Sequence, residues 1–136
     1  MIYKCYFDGS CGPPNPHGEM GMGVYVTCGE QEFGKSEHLP AKKGNSNNVA
    51  EYLAVIMVFK LLRKKEGCII KIYGDSKMVI NQLANGWQVK NGYYVKHARE
   101  AKLLYEELLG KNTINMIWIN RDKNWKADEL SKAHIK

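Results

Sequence analysis

The chain has no CxxC pair, no internal repeat, no low-complexity tract and no linker-like segment. Its longest apolar run, Leu53–Phe59, is far short of a bilayer span, so no membrane association is expected. The four cysteines, Cys5, Cys11, Cys28 and Cys68, are scattered, and three sit in apolar or strand-like settings. They read as reduced thiols of a cytoplasmic protein rather than as a disulfide framework. Met1 leads directly into a strand pattern, so no signal peptide is expected.

What is present fits one domain over residues 1–136. A chain this long buries about two-thirds of its unfolded surface and needs no metal or disulfide staple to fold. With 44% hydrophobic and 25% charged residues it has an ordinary globular composition. Lys and Arg number 20 against 14 Asp and Glu, a net charge of +6, which points to a polyanionic partner, nucleic acid first.

Periodicity predicts strands over 2–8, 20–28 and 31–38, joined by a Gly/Pro/Asn-rich turn region (9–18) and a tight turn at Gly29 and Glu30. The glycines of GEMGMG enter a strand rather than open a helix. They therefore mark close backbone approach or a bulge, not a dinucleotide loop. Residues 48–65 predict a helix apolar over most of its circumference, with Arg63, Lys64 and Lys65 favoured by its negative end. A strand over 68–73, helices over 76–84 and 93–109, a strand over 113–119 and a helix over 125–133 complete the chain. The order β-β-β-α-β-α-α-β-α predicts an α/β fold, a mixed five-stranded sheet flanked by helices. Its first three strands are antiparallel, and its last two need parallel crossovers.

Four acids stand where elements begin or end. Asp8 closes the first strand, Glu51 opens the long helix, Asp75 follows the fourth strand, and Asp128 lies in the first turn of the last helix. If the first and fourth strands are neighbours, a site forms beyond their carboxyl ends. Each acid also has a structural reading. Asp8 suits an Asx turn and Asp75 a helix cap; Asn48 and Glu51 fit a capping box, and Asp128 suits the helix dipole. Four clustered carboxylates would repel one another unless cations filled the site. With no His or Cys near them in sequence, the ligand set is hard oxygen, which selects Mg²⁺ or Mn²⁺ over zinc.

The blocks FDGSCG with a following NPHG, then SNNVAEYLAVI, IYGDSKMVINQL and RDKNWKADELS, resemble in order and spacing the signature blocks of ribonuclease H type 1. The resemblance spans essentially the whole chain. It implies hydrolysis of the RNA strand of an RNA–DNA hybrid, leaving 5′-phosphate and 3′-hydroxyl ends. It also implies two divalent ions, Mg²⁺ or Mn²⁺ in its place, on Asp8, Glu51, Asp75 and Asp128, with Asp8 bridging. Gly9, Ser10, Cys11, Asn15, Asn47 and Asn48 match positions that sense the RNA 2′-hydroxyl, with Ser46 and Asn15 also placed for a DNA-strand phosphate. A monomer is expected.

The sequence departs from the family pattern in two places, as in a compact branch of the family. A basic, Trp-rich extension is reduced to NGWQVKNG, leaving Trp87 and Lys90 to touch the DNA strand unless Trp87 packs under its loop. The loop before Asp128 has no His; Arg121 is the candidate for that role, its alternative being a surface salt bridge, and His134 is a poor substitute. Two other classes stay in view. One is a non-cleaving nucleic-acid-binding module of the same fold, which would have no need of the acid cluster. The other is a different nuclease of the superfamily, which would not be expected to carry the NN-x-x-E pairing.

Overall fold

The computed structural model describes residues 1–135. Tyr3, Cys5 and Phe7 alternate into the core, and this period-2 pattern sets the central strand β1 (Ile2–Cys11). β1 pairs antiparallel with β2 (Met20–Cys28), which pairs antiparallel with β3 (Gln31–Leu39). On its other side β1 pairs in parallel with β4 (Ile69–Gly74), and β4 in parallel with β5 (Thr113–Trp118). The sheet order is β3-β2-β1-β4-β5, the mixed five-stranded arrangement the sequence predicts. The helices are α1 (Asn47–Leu61), α2 (Lys77–Ala84), α3 (Val95–Leu109) and α4 (Trp125–Ser131), the last entered through a 3₁₀ turn at Arg121–Asn124.

Two features of this sheet position the site. The parallel pairing of β1 with β4 stops at Phe7 opposite Gly74, whereas the antiparallel pairing with β2 runs on to Cys11 opposite Met20. From Asp8 onward, β1 has no strand neighbour on the β4 side. Helices also cover the two faces differently. α1 packs on β1, on β2 and against α3, and nearly all of its length is buried, as its apolar circumference requires. α4 packs against β2 on the opposite face, where a Cβ at Gly21 would overlap the Ser131 carbonyl and one at Gly23 the Ala127 carbonyl. The GEMGMG glycines are thus sites of close backbone approach.

Several boundaries differ from the sequence reading. β1 continues through Gly9 and Ser10 to Cys11, held by β2, so Asp8 lies inside the strand. α1 begins at Asn47, and its N-cap is Ser46, whose Oγ accepts from the Val49 N–H at 3.1 Å. The expected capping box from Asn48 to Glu51 does not form, because Asn48 is already helical. α1 ends at Leu61, so Arg63, Lys64 and Lys65 lie past it. Arg63 instead pairs with Glu107 at 3.4 Å, and the Lys65 ammonium sits 5.5 Å from the Tyr3 ring centroid. Asp75 does not cap α2; Ser76 does, accepting from Val79 N–H at 3.3 Å.

The short connection between α2 and α3 is anchored from within. The buried Tyr52 hydroxyl donates to Gln82, whose amide donates to the Gln88 carbonyl at 3.1 Å. The Tyr94 hydroxyl accepts from the Lys90 N–H at 3.0 Å, and its ring stacks on Tyr52. Trp87 is left 53% exposed, which overturns its packing under the loop. All four cysteines are free, and among the described residues no helix is long and apolar enough to cross a membrane.

The reassigned cap is directly testable. Ser46→Ala should lower stability by about 1 kcal/mol in urea unfolding. Asn48→Ala should stay within about 0.5 kcal/mol, because it removes no cap.

Candidate active site

The gap beside β1 is where carboxylates from both faces of the sheet meet. Asp8 projects toward α4, and its Oδ2 accepts from the Ser131 hydroxyl at 3.2 Å. Glu51 comes from α1 on the other face and accepts a hydrogen bond from the Gly9 N–H. This approach needs Gly9, because a Cβ there would overlap the Ala50 backbone. Asp75 follows β4 at once and completes the group. One carboxylate oxygen from each of Asp8, Glu51 and Asp75 lies within 4.8 Å of the others. Asp128, in the first turn of α4, lines the same open cleft of about 560 Å³. Glu51 is the fifth residue of α1, two residues deeper than the capping position the sequence suggested.

The electrostatics divide the four acids. Asp8 is 5% exposed and Glu51 8%. Burial, then the negative charge of Asp75, push the Asp8 carboxyl up to about 7. Burial, then Asp8 and Asp75, hold Glu51 well above the usual carboxylate range. Asp75 is raised too, chiefly by burial, with the Arg121 guanidinium acting against it. Asp128 goes the other way. Its burial is outweighed by the Lys132 ammonium, 2.9 Å away, together with Asp8 and the Arg121 guanidinium at 3.5 Å. One acid is therefore neutralised by the protein's own cations, while the other three crowd together. A buried carboxylate without a partner is costly, and hard oxygen donors in this number suit a small divalent cation.

The rim residues fall into two groups. Gly9, Ser10, Cys11, Asn47, Asn48 and Arg121 all line the cleft. Asn15, Ser46, Trp87 and Lys90 do not. Asn15 braces the rim from behind, its Oδ1 accepting from the Asn47 N–H at 3.2 Å, while Ser46 serves as the α1 cap. The backbone donors expected to read a substrate are partly engaged. Gly9 N–H is bound to Glu51, and Cys11 N–H donates to Asn47 Oδ1 at 2.8 Å. That bond fixes the Asn47 amide so that its NH₂ group is the donor left for a ligand. Arg121 makes the salt bridge given as its alternative, but that bridge is to Asp128 within the cleft.

Sequence reasoning missed Ser76, Trp118 and Lys132, which also line the cleft, and two residues that support it. Lys132 was detectable, standing four residues after Asp128 on one helix face. Trp118 at the end of β5 donates its indole N–H to the Asp75 carbonyl at 3.1 Å, fixing the backbone that presents that acid. Asn124, fully buried, donates to the Phe7 carbonyl at 2.9 Å and pins the entry to α4 against the start of the gap. Ser131 ties the end of α4 to Asp8. None of these three carries a sequence signal without the fold.

The sequence profile of the RNase H family matches residues 2–136. A ribonuclease H of Syntrophus aciditrophicus is 33% identical, the alignment covering 93% of this chain and 76% of that protein. One of Acetivibrio thermocellus is 32% identical over 96% of this chain and 92% of its own length. Among solved structures, the N-terminal RNase H domain of a Mycobacterium tuberculosis protein superposes with a TM-score of 0.83 at 26% identity, covering 98% of both chains. LC11-RNase H1 in complex with an RNA/DNA hybrid superposes with a TM-score of 0.81 at 25% identity, covering 96% of this chain and 94% of that one. With four acids gathered where β1 loses its parallel neighbour and a family match over nearly its whole length, the chain belongs to the ribonuclease H family.

Proposed function

We propose that this protein is an endoribonuclease that hydrolyses the RNA strand of RNA–DNA hybrids, leaving 5′-phosphate and 3′-hydroxyl ends. Asp8, Glu51, Asp75 and Asp128 would hold its two divalent cations, Mg²⁺ or Mn²⁺. The observation that carries this reading is the convergence of Asp8, Glu51 and Asp75 oxygens within 4.8 Å, while the salt bridges of Arg121 and Lys132 go to Asp128. Bound there, such cations supply an activated water and neutralise charge on the departing oxygen.

The chain's own groups do the rest. Asn47 and Asn48 offer amide donors on the rim beside the acids, suited to a 2′-hydroxyl in a wide, shallow minor groove. Asn15 holds Asn47 in place. Arg121 cannot accept a proton, so its part is positive charge beside Asp75 and Asp128, which fits the compact branch without a loop His. Trp87 and Lys90, outside the cleft on the α2–α3 connection, would touch the DNA strand. All four acids come from one chain, so a monomer suffices.

The first test presents one labelled RNA strand alone, paired with DNA and paired with RNA, with and without Mg²⁺. Only the hybrid's RNA should be cut, and only with metal, and Asp8→Asn should lose more than about a hundredfold in rate. Hybrid bound but left whole under Mg²⁺ and Mn²⁺ would mean a binding module. Lys132 competes for Asp128, so Lys132→Met should lower the Mg²⁺ concentration for half-maximal rate by about two- to fivefold. An increased Mg²⁺ requirement would instead place Lys132 on the substrate.

The raised acids predict a pH dependence for the metal-free protein. Asp8 and Glu51 keep protons in the folded state that the unfolded chain releases above about pH 4. Between about pH 4 and 7 the folded state binds more protons, so stability falls as pH rises through that window. Asp8→Asn should therefore be more stable than the metal-free parent near about pH 8, by about 1–4 kcal/mol, with the difference shrinking toward pH 4. Thermal melts in EDTA across this range check it; parallel profiles would mean the acids titrate normally.

A further inference from the structure

A second convergence of metal-ligating side chains lies away from the carboxylate cleft. Glu19 directly precedes β2, His38 stands near the end of β3, and His134 follows α4. One ligand atom from each lies within 4.8 Å of the others. The His38 Nε2 is 3.4 Å from a Glu19 carboxylate oxygen, and the two imidazoles stack with centroids 4.3 Å apart. His134 Nδ1 is buried with no hydrogen-bond partner among the described residues.

The fold brings these three together by specific means. His38 is the register partner of Gly21, and His134 lies over that same glycine, where any side chain would overlap its ring. The end of α4 is tied down on both sides of β2. Ser36 Oγ donates to the Leu130 carbonyl at 2.6 Å and Ser10 Oγ to the Ser131 carbonyl at 3.2 Å. The cluster therefore rests on β2, β3 and an anchored helix end, which is the kind of rigid support a metal site needs.

We propose that Glu19, His38 and His134 form a second cation site, distinct from the carboxylate cleft, which takes a borderline transition metal such as Zn²⁺. Two imidazoles and one carboxylate are the donor set of three-protein-ligand zinc sites, with water in the fourth position. Mg²⁺ and Mn²⁺ prefer the all-oxygen cleft instead. Stacked rings hold their nitrogens side by side, and sharing one ion would require His38, a partly exposed strand side chain, to tilt toward it. An ion there would clamp the start of β2, the end of β3 and the segment after α4. Because α4 carries Asp128, it would also stiffen one wall of the catalytic cleft from behind.

The test is titration of the full chain with Zn²⁺ by calorimetry, with excess Mg²⁺ present to occupy the acids, beside electron paramagnetic resonance of bound Cu²⁺. The expected result is one ion per chain, with Cu²⁺ showing coupling to two imidazole nitrogens, which the all-oxygen cleft lacks. His38→Gln, His134→Gln and Glu19→Gln should each weaken Zn²⁺ binding by about 10- to 100-fold or more. Zn²⁺ should raise the melting temperature of the parent and not of the histidine variants. Mg²⁺-dependent cleavage by His38→Gln should be unchanged. If His134→Gln fails to fold, the partly exposed His38 and Glu19 carry the comparison. Zn²⁺ affinity equal to the parent's in His38→Gln and Glu19→Gln would overturn the site, as would no coupling to two imidazole nitrogens, or no binding below millimolar concentrations.

Discussion

Asp8 and Glu51 are buried against each other at the point where β1 loses its parallel neighbour, and much of the surrounding structure exists to hold them there. Like charges in that position repel, so the approach must be enforced by backbone. Gly9 supplies it: with no Cβ, α1 closes onto β1, and Glu51 gains the Gly9 N–H as a partner. The serines complete the arrangement. Ser46 and Ser76 cap α1 and α2, so neither Glu51 nor Asp75 is needed to stabilise a helix start. The acids are thereby left to ligand chemistry, at a cost in stability that a bound cation would offset.

α4 is the other half of the constraint. A short helix held mainly by the absence of side chains at Gly21 and Gly23 has little packing area of its own, so hydrogen bonds fix it. Asn124 grips the Phe7 carbonyl at its entry, Ser131 grips Asp8 near its end, and Ser36 holds the Leu130 carbonyl. These bonds set where Asp128 stands relative to Asp8. A change at any of them acts on the site by moving a wall rather than by removing a ligand.

What the sequence made legible was whatever is written in local period and punctuation. The alternation of Tyr3, Cys5 and Phe7 and the apolar girth of 49–59 gave the central strand and the buried helix, and the acids stood out because each falls at a boundary. The errors arose where local signals compete and tertiary context decides. Ser46, Asn47 and Asn48 are all chemically acceptable caps. The choice of Ser46 follows from the preceding Asn45, whose side chain is held by the Gly18 and Pro40 carbonyls and whose own carbonyl accepts from His17 N–H. Gly9–Cys11 read as turn because the prolines follow, yet pairing with β2 draws them into the strand. The adjacency of His38 and His134 has no local signature at all, since it requires knowing that α4 lies across β2.

The charge distribution gives the site its order of events. The chain carries +6 overall, which attracts a nucleic-acid duplex from a distance, while its cleft concentrates four carboxylates that repel the phosphate the reaction must bring in. Lys132 and Arg121 make their salt bridges to Asp128, and Arg121 also eases the repulsion at Asp75 from a greater distance. The Asp8, Glu51 and Asp75 side stays protonated or repulsive until a cation arrives. If divalent cations bind there as proposed, a cation and a substrate phosphate would each lower the electrostatic cost of admitting the other. Such coupling would make the acid cluster a selector for the metal-loaded complex as well as a ligand set, because Asp8, Glu51 and Asp75 have hydrogen-bond partners but, among the described residues, no salt bridge.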